Sequence, residues 1–229
     1  YSPRHFDPRS GANALTFYDY TTPVSQSTKK QYLLRHRLIK KNPSATSSEA
    51  KEPIIYYLDN GTPEPVRSAL IEGGMWWNQA FENIGFKNAF QVKMLPKNAD
   101  PLDIRYNVIQ WVHRSTRGWS YGSSVIDPRT GEIIKGHVTL GSLRIRQDFM
   151  IALGLIEQPF LKNNNRENIA IEMALSRIRQ LSAHEIGHTL GFAHNFTAST
   201  NLRSSVMDYP HPNITFKNGE ISISEAYEN

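Results

Sequence analysis

The sequence predicts a mixed α/β domain in which one β-sheet is backed by two long helices. Three observations support this fold class. β-branched and aromatic runs flank a helical segment between residues 54 and 95, and two β-rich arms meet at a Pro- and Gly-containing turn near residue 130. Apolar residues then recur at helical spacing between residues 166 and 190.

The composition fits a folded globular protein and excludes several classes of function. The 229 residues are 39% hydrophobic and 21% charged. Cysteine is absent, which excludes disulfides, thiolate metal ligands and thiol catalysis. No apolar run approaches the roughly 20 residues that a membrane span needs, and no secretory signal pattern is present.

The net charge of +5 does not by itself indicate a nucleic-acid partner. Much of the basic excess lies in residues 29–41, where Lys and Arg alternate with apolar residues. That pattern favours a strand with one solvated face. No nucleic-acid-binding motif accompanies it, so we predict no nucleic-acid partner.

A polar, proline-bounded stretch at residues 42–53 divides the chain. Residues 1–52 are too few to bury a core of their own, and we interpret them as an N-terminal extension or the remnant of an upstream domain. The chain opens at Tyr1 instead of Met, so we expect further sequence upstream. Residues 53–229 are predicted to form the main domain.

The first elements of the main domain are a strand and a helix. Residues 54–58 (IIYYL) are typical of a buried strand. Residues 62–65 (TPEP) then mark the start of a helix of about 20 residues, because proline is tolerated in the first turn. Gly73 and Gly74 interrupt this helix, which indicates close packing there. We assign Trp76 and Trp77 to the core.

The remaining elements are two strands, a hairpin and a long helix. We predict strands at residues 89–95 and 103–113, and hairpin arms at residues 120–126 and 132–140. The turn at residues 127–131 (DPRTG) joins the two arms, with a fixed φ at proline and a free φ at glycine. The long helix covers about residues 166–190 and shows an apolar face: Ile171, Ala174, Leu175, Ile178 and Leu181.

The end of this helix carries residues 184–194, HEIGHTLGFAH. His184 and His188 are four residues apart, so they lie one turn apart on the same face of a helix, where two imidazoles can reach one zinc ion. Gly191 can adopt a left-handed conformation that ends the helix, which lets His194 return as a third ligand. Three histidines leave one coordination position open, as in catalytic zinc sites. Glu185 projects beside the metal, where its carboxylate can accept a proton from an activated water.

These residues resemble the elongated zinc signature of the metzincin metallopeptidases. The metzincins also share a methionine turn after the third histidine, and residues 205–209 (SVMDY) resemble it. The resemblance implies that Met207 forms an apolar floor beneath the histidines. It also implies a zinc-proximal, oxyanion-stabilising role for Tyr209.

The fold that this resemblance implies is a metzincin-like catalytic domain. It contains a mixed, mostly parallel twisted sheet with an antiparallel edge strand, a backing helix and an active-site helix. The whole chain further resembles a group of large bacterial zinc-dependent metalloproteases with flanking domains of unknown function. The stretches that carry this likeness are residues 4–11, 76–81, 105–113 and 127–132.

The relatives in this group are typically exported and longer than this chain. We therefore expect an exported protein, located in the bacterial periplasm, at the cell surface or outside the cell. We also expect the catalytic domain at residues 53–229 to be shortened at its C-terminus and to work with other domains of a longer chain.

The function expected from these residues is zinc-dependent endopeptidase activity. A single catalytic zinc ion, held by His184, His188 and His194, activates a water molecule, and Glu185 acts as the general base. We expect the substrate to bind as an extended strand on the sheet edge formed by residues 120–126, with residues 132–140 as the alternative. The loop at residues 210–212 is expected to shape the pocket for the residue after the cleaved bond.

Two other functions stay open from the sequence alone. One is a zinc amidohydrolase that acts on a non-protein amide such as a cell-wall crosslink. The other is a catalytically silent module that binds zinc only for folding.

Overall fold

The structure is a computed structural model that describes residues 1–116, 119–156, 164–209, 211–217 and 219–227. Its helices are α1 (Val66–Asn83), α2 (Leu143–Leu155) and α3 (Asn164–Thr189). Its strands are β1 (Ala14–Tyr18), β2 (Lys29–Leu33), β3 (Ser48–Glu49), β4 (Ile54–Leu58), β5 (Phe86–Lys87), β6 (Phe90–Met94), β7 (Asn107–Val112), β8 (Tyr121–Ile126), β9 (Ile133–Gly141), β10 (Thr215–Lys217) and β11 (Glu220–Ser222).

Five of the strands form one central sheet in the order β6-β4-β7-β9-β8. The first four run parallel, and β8 pairs antiparallel with β9 at the edge. The predicted mixed, mostly parallel sheet with an antiparallel edge strand is therefore confirmed. The strand predicted at residues 120–126 is this edge, and the arm predicted at residues 132–140 is the interior strand β9.

One core joins the sheet to α1 and α3. Along β4 the side chains alternate between buried and half-buried, and Tyr56 and Leu58 are completely buried. The Tyr56 hydroxyl donates a 2.7 Å hydrogen bond to Thr189 Oγ1, so a central strand is fastened to the last turn of α3. This link fixes the end of α3 relative to the sheet.

The two long helices pack backbone against backbone at the glycine pair of α1. A Cβ atom placed on Gly73 would lie 2.1 Å from the carbonyl oxygen of Arg179 in α3, and one on Gly74 would lie 3.0 Å from Ile186 Cδ1. The close packing predicted from these glycines is confirmed. Trp77 reinforces the contact, because its indole N–H donates a 2.8 Å bond to the carbonyl of Ala183.

Residues 1–52 pack against the rest of the chain through a small hairpin. Strands β1 and β2 pair antiparallel. The short strand β3 pairs in parallel with β5, which follows α1 directly. The backbones of Arg35 and Glu132 form an isolated parallel β-bridge just before β9. At the other end of the chain, β10 and β11 form a second two-stranded ribbon.

Three local expectations differ from the structure. The strand predicted at residues 103–113 begins at Asn107, because the Asp103 carboxylate accepts the backbone N–H of Arg105 and closes a turn there. Helix α2 was not predicted, because its buried positions are few and apolar residues such as Met150 and Ile151 are exposed, which hides the helical period. Trp76 is 40% exposed and packs on Trp77 from outside the core.

None of the described helices combines the length and the apolar character that a membrane crossing requires.

The glycine contact between α1 and α3 gives a stability prediction. Gly73→Ala should lower the free energy of unfolding by about 1–3 kcal/mol, because the new methyl group collides with backbone that cannot move aside cheaply. Gly154→Ala is the matched control, since nothing lies within 4 Å of its added Cβ. That control should be neutral or stabilising by up to about 1 kcal/mol. Urea denaturation of the three proteins measures both changes, and equal stabilities for all three would contradict the close approach.

Candidate metal centre

The metal centre begins on the last turns of α3. His184 and His188 project from the same face, and their Nε2 atoms lie 3.2 Å apart. His194, beyond the end of the helix, places its Nε2 atom 3.1 Å from that of His188. Ligands bound tetrahedrally at about 2.0–2.1 Å lie roughly 3.3 Å from one another, so these separations suit one zinc ion. Among the described residues, these three histidines form the one group able to hold a metal.

The backbone fixes which nitrogen of each helical histidine faces the centre. His184 Nδ1 lies 2.7 Å from the carbonyl oxygen of Val206, and His188 Nδ1 lies 2.9 Å from that of Phe192. A carbonyl oxygen only accepts, so each Nδ1 carries the proton and each Nε2 presents a lone pair. Such outer contacts orient metal-binding imidazoles and raise their basicity. The donor set therefore fits zinc.

A Schellman turn brings the third histidine back to the helix. Gly191 has φ +105°, in the region that favours glycine, which confirms the predicted left-handed stop. The Phe192 N–H bonds the Gly187 carbonyl at 3.0 Å, and the Gly191 N–H bonds that of His188 at 3.0 Å. The chain reverses within three residues, and His194 reaches the other two imidazoles.

The N-terminal segment holds this turn from outside. The Asn13 N–H donates to the Gly191 carbonyl at 2.7 Å, and the Asn13 side-chain amide donates to the Phe192 carbonyl at 3.1 Å. The Phe192 carbonyl oxygen thus accepts hydrogen bonds from the Asn13 side chain and from His188, one of the predicted metal ligands. The Ala193 N–H in turn donates to the Gly11 carbonyl at 3.0 Å. Asn13 could not be predicted from the sequence, because Phe192, the partner of its side chain, lies 179 positions away and no local pattern connects them.

Met207 lies beneath the helical histidines, where the resemblance places it. Its side chain is buried, and a Cβ atom on Gly187 would lie only 2.2 Å from the Met207 sulfur. Its carbonyl accepts the Asn195 N–H at 2.9 Å, one residue after the third histidine. The methionine turn therefore supports the helix and anchors the loop segment that carries His194.

Glu185 is buried beside the first histidine and faces the edge of the sheet. Its carboxylate accepts a hydrogen bond from the Gly122 N–H in β8. Burial raises the pKa of Glu185 to about 7, against the lowering effects of that hydrogen bond and of the Arg177 charge. A cation held nearby would lower this pKa further, because it favours the ionised form.

Tyr209 packs against the imidazoles on the open side of the site. Its ring centroid lies 4.5 Å from that of His194 and 5.1 Å from that of His184, and the residue is 58% exposed. The neighbouring Asp208 is buried and accepts the Tyr209 N–H at 2.7 Å as well as the Ser199 hydroxyl. The structure thus brings the five predicted site residues together. Of the predicted loop at residues 210–212, Pro210 lies outside the described residues.

A cleft of about 450 Å³ opens next to Glu185. Glu185, Leu181 and Arg177 of α3 line one side of it, and Tyr209 stands at its edge. The other lining residues come from the start of α2 and from the chain that leads into β8: Arg114, Thr116, Trp119, Ser120, Gly141, Ser142, Leu143, Arg144 and Gln147. A substrate side chain can therefore enter next to the predicted general base.

Comparison with known families agrees with the metal centre. Residues 166–229 match a family model described as Met-zincin, a segment that contains most of α3, the three histidines, Met207 and Tyr209. No curated protein matches the chain. The metzincin-type recognition made from the sequence is confirmed. Together with the three-histidine cluster, it supports a zinc metallopeptidase-like role.

The contact between the N-terminal segment and the ligand turn gives a metal-binding prediction. Asn13→Ala removes a donor from the carbonyl that orients His188, so zinc affinity should fall by about tenfold. Competition with a chromophoric chelator measures the change.

The matched control is Gln31→Ala, which removes a side-chain amide whose partner is Thr16 in the same hairpin. This control should bind zinc as tightly as the unaltered chain. Equal affinities for the two variants would contradict a role for Asn13 in holding the site.

Proposed function

We propose that this chain is a zinc-dependent endopeptidase that hydrolyses peptide bonds of extended protein substrates. The observation that carries the proposal is the convergence of three histidine side chains beside a buried carboxylate that lines an open cleft. No fourth side chain joins this group among the described residues, whereas a closed structural zinc site has four protein ligands. The Met-zincin match supports the same class of activity.

His184, His188 and His194 would hold one zinc ion. When bound, zinc supplies Lewis acidity, which lowers the pKa of water to about 7 and polarises the scissile carbonyl. Glu185 accepts the proton of the attacking water and then delivers it to the leaving amine. The Gly122 N–H, which favours the ionised carboxylate of Glu185, would help to orient it for both transfers.

Tyr209 is proposed to stabilise the negative charge that develops on the carbonyl oxygen. Its position supports this role, since its ring packs on two of the three ligand imidazoles while its other side faces solvent. The exported location expected from the resemblance also remains a proposal.

Strand β8 is proposed to receive the substrate backbone. It is the edge of the central sheet and pairs with β9 on one side. Gly122 brings it against α3, because a Cβ atom there would lie 2.4 Å from the Glu185 carbonyl oxygen. A peptide added along β8 would therefore run past the metal ligands and the general base.

The general-base assignment predicts the effect of one isosteric change. Glu185→Gln should retain zinc and lose nearly all peptide cleavage, roughly 100-fold or more, because an amide cannot accept the proton. Mass spectrometry of new termini after incubation with a peptide library measures cleavage, and metal analysis measures zinc. Glu172→Gln, on an exposed turn of the same helix, is the matched control and should remain fully active.

The outcomes of this experiment separate the three functions. A fully active Glu185→Gln variant would refute the role of Glu185. Zinc-loaded wild-type protein that cuts peptidoglycan fragments but no peptide would favour the amidohydrolase. A zinc-loaded protein that cuts neither substrate would favour the silent module.

The strand-addition proposal predicts an alternating response to peptide backbone changes. Substrates that carry a single N-methyl group should lose cleavage by about tenfold at every second position near the scissile bond, because only alternate amides donate to the edge strand. The unmethylated peptide is the reference. Equal tolerance at all positions would refute strand addition. The alternative edge at residues 132–140 is excluded, because β9 is paired with β7 on one side and with β8 on the other.

A further inference from the structure

One face of α3 leads away from the metal centre into the cleft. Arg177, Leu181 and Glu185 are spaced four residues apart, so they form a single row along the helix. All three line the cleft of about 450 Å³. A group that enters past Glu185 therefore meets an apolar side chain and then a guanidinium.

The Arg177 guanidinium is held in place but not neutralised. Its Nη1 atom donates to the Gln180 side-chain oxygen, and its Cζ atom lies 5.3 Å from the centroid of the Tyr227 ring. Its Nε atom is buried and has no hydrogen-bond partner. Within the described residues, no carboxylate forms an ion pair with it.

A half-buried guanidinium that forms no ion pair is unusual, because charged groups that lose contact with water are normally paired. Burial lowers the pKa of Arg177 from its ordinary value, which reflects the cost of keeping this charge out of water. Gln180 uses one of its five N–H donors, and the planar fork remains able to bind a carboxylate through two hydrogen bonds.

The other charges around the cleft leave it positive. Arg144 also lines the cleft, but it is paired with the buried Asp148 at 2.8 Å. Arg114 lines the opposite part, and no described carboxylate pairs with it. Glu185 is the one acidic residue among the lining residues. An anionic group would therefore be attracted into the cleft.

We propose that Arg177 makes this cleft a carboxylate-binding subsite, which selects substrates with a carboxylate on the residue that supplies the leaving amine. This inference rests on the proposed peptidase function. Glu185 must lie within reach of the leaving amine to protonate it, so the side chain of that residue extends past Glu185 towards Arg177. The carboxylate is either the side chain of Asp or Glu or the C-terminus of the substrate.

The test compares peptides that differ in one carboxylate. Four peptides share a sequence around the cleaved bond and carry Glu, Gln, Asp or Asn directly after it, each with an amidated C-terminus. The zinc-loaded chain should cleave the Glu or Asp peptide with a kcat/KM about 10- to 100-fold above that of its amide counterpart. A fifth peptide, which ends in a free carboxylate one residue after the bond, identifies the C-terminus as the source if it alone is preferred.

Variants of Arg177 separate recognition from support of the fold. Arg177→Met should abolish the preference, so that the kcat/KM values for the Glu and Gln peptides agree within about threefold. Arg177→Lys should recover part of the preference, because it keeps the charge but loses the fork. Arg179→Met is the matched control, since Arg179 lies on the same helix but pairs with Glu72 outside the cleft, and it should keep the preference.

A binding measurement checks the subsite without turnover. Calorimetry with the product-side peptide amides Glu-Ala-Ala and Gln-Ala-Ala should show about tenfold tighter binding of the Glu peptide, and Arg177→Met should remove the difference. Equal cleavage and equal binding of the Glu and Gln peptides would overturn the carboxylate subsite while the peptidase function stands. A uniform loss for all peptides in Arg177→Met would assign Arg177 a structural role. No cleavage of any peptide by the zinc-loaded chain would instead contradict the peptidase function, and the calorimetric comparison would still decide the subsite.

Discussion

The structure depends on the requirement that three imidazoles reach one metal position, and their ligand nitrogens all lie within 4.8 Å of one another. The helix supplies two of them, because residues four apart lie one turn apart on the same face. The third cannot come from a straight helix and needs a chain reversal directly after it. Gly191 provides the reversal, and both neighbouring segments of chain then act to hold it.

This requirement explains why backbone crowds around the end of α3. Strand β8 approaches at Gly122, the methionine turn at Gly187, and the N-terminal segment at Gly191, and at each of these places an added Cβ atom would meet an atom within 2.5 Å. If longer side chains separated these segments from α3, the end of the helix could shift relative to them. Direct backbone contact removes that freedom, because hydrogen bonds and close packing fix both partners. A rigid ligand set is the consequence.

The sequence predicted the parts of this arrangement that are local. His184 and His188 on one helical face and the stop at Gly191 follow from spacing and turn chemistry, and the structure shows both. The edge position of β8 was instead implied by the metzincin resemblance, and the structure shows it too. Contacts between distant segments could not be predicted. Asn13 reaches the ligand turn, and Arg177 lies unpaired in the cleft, only because of how the chain folds around α3. Helix α2 was missed for a different reason, since its exposed apolar residues conceal its period.

The proposed general base, Glu185, and the proposed substrate-binding residue, Arg177, lie on the same face of α3. Burial is the largest influence on Glu185 and raises its pKa to about 7 in spite of the opposing groups around it. The Gly122 N–H and the Arg177 charge both favour ionisation, and a dication held by the three histidines would act in the same direction. The charge of Arg177 thus stabilises the ionised form of Glu185, and its guanidinium is also able to bind a ligand in the cleft. A substrate carboxylate that neutralised Arg177 would reduce this field at Glu185, so the metal would have to supply the larger share of the stabilisation of the ionised base.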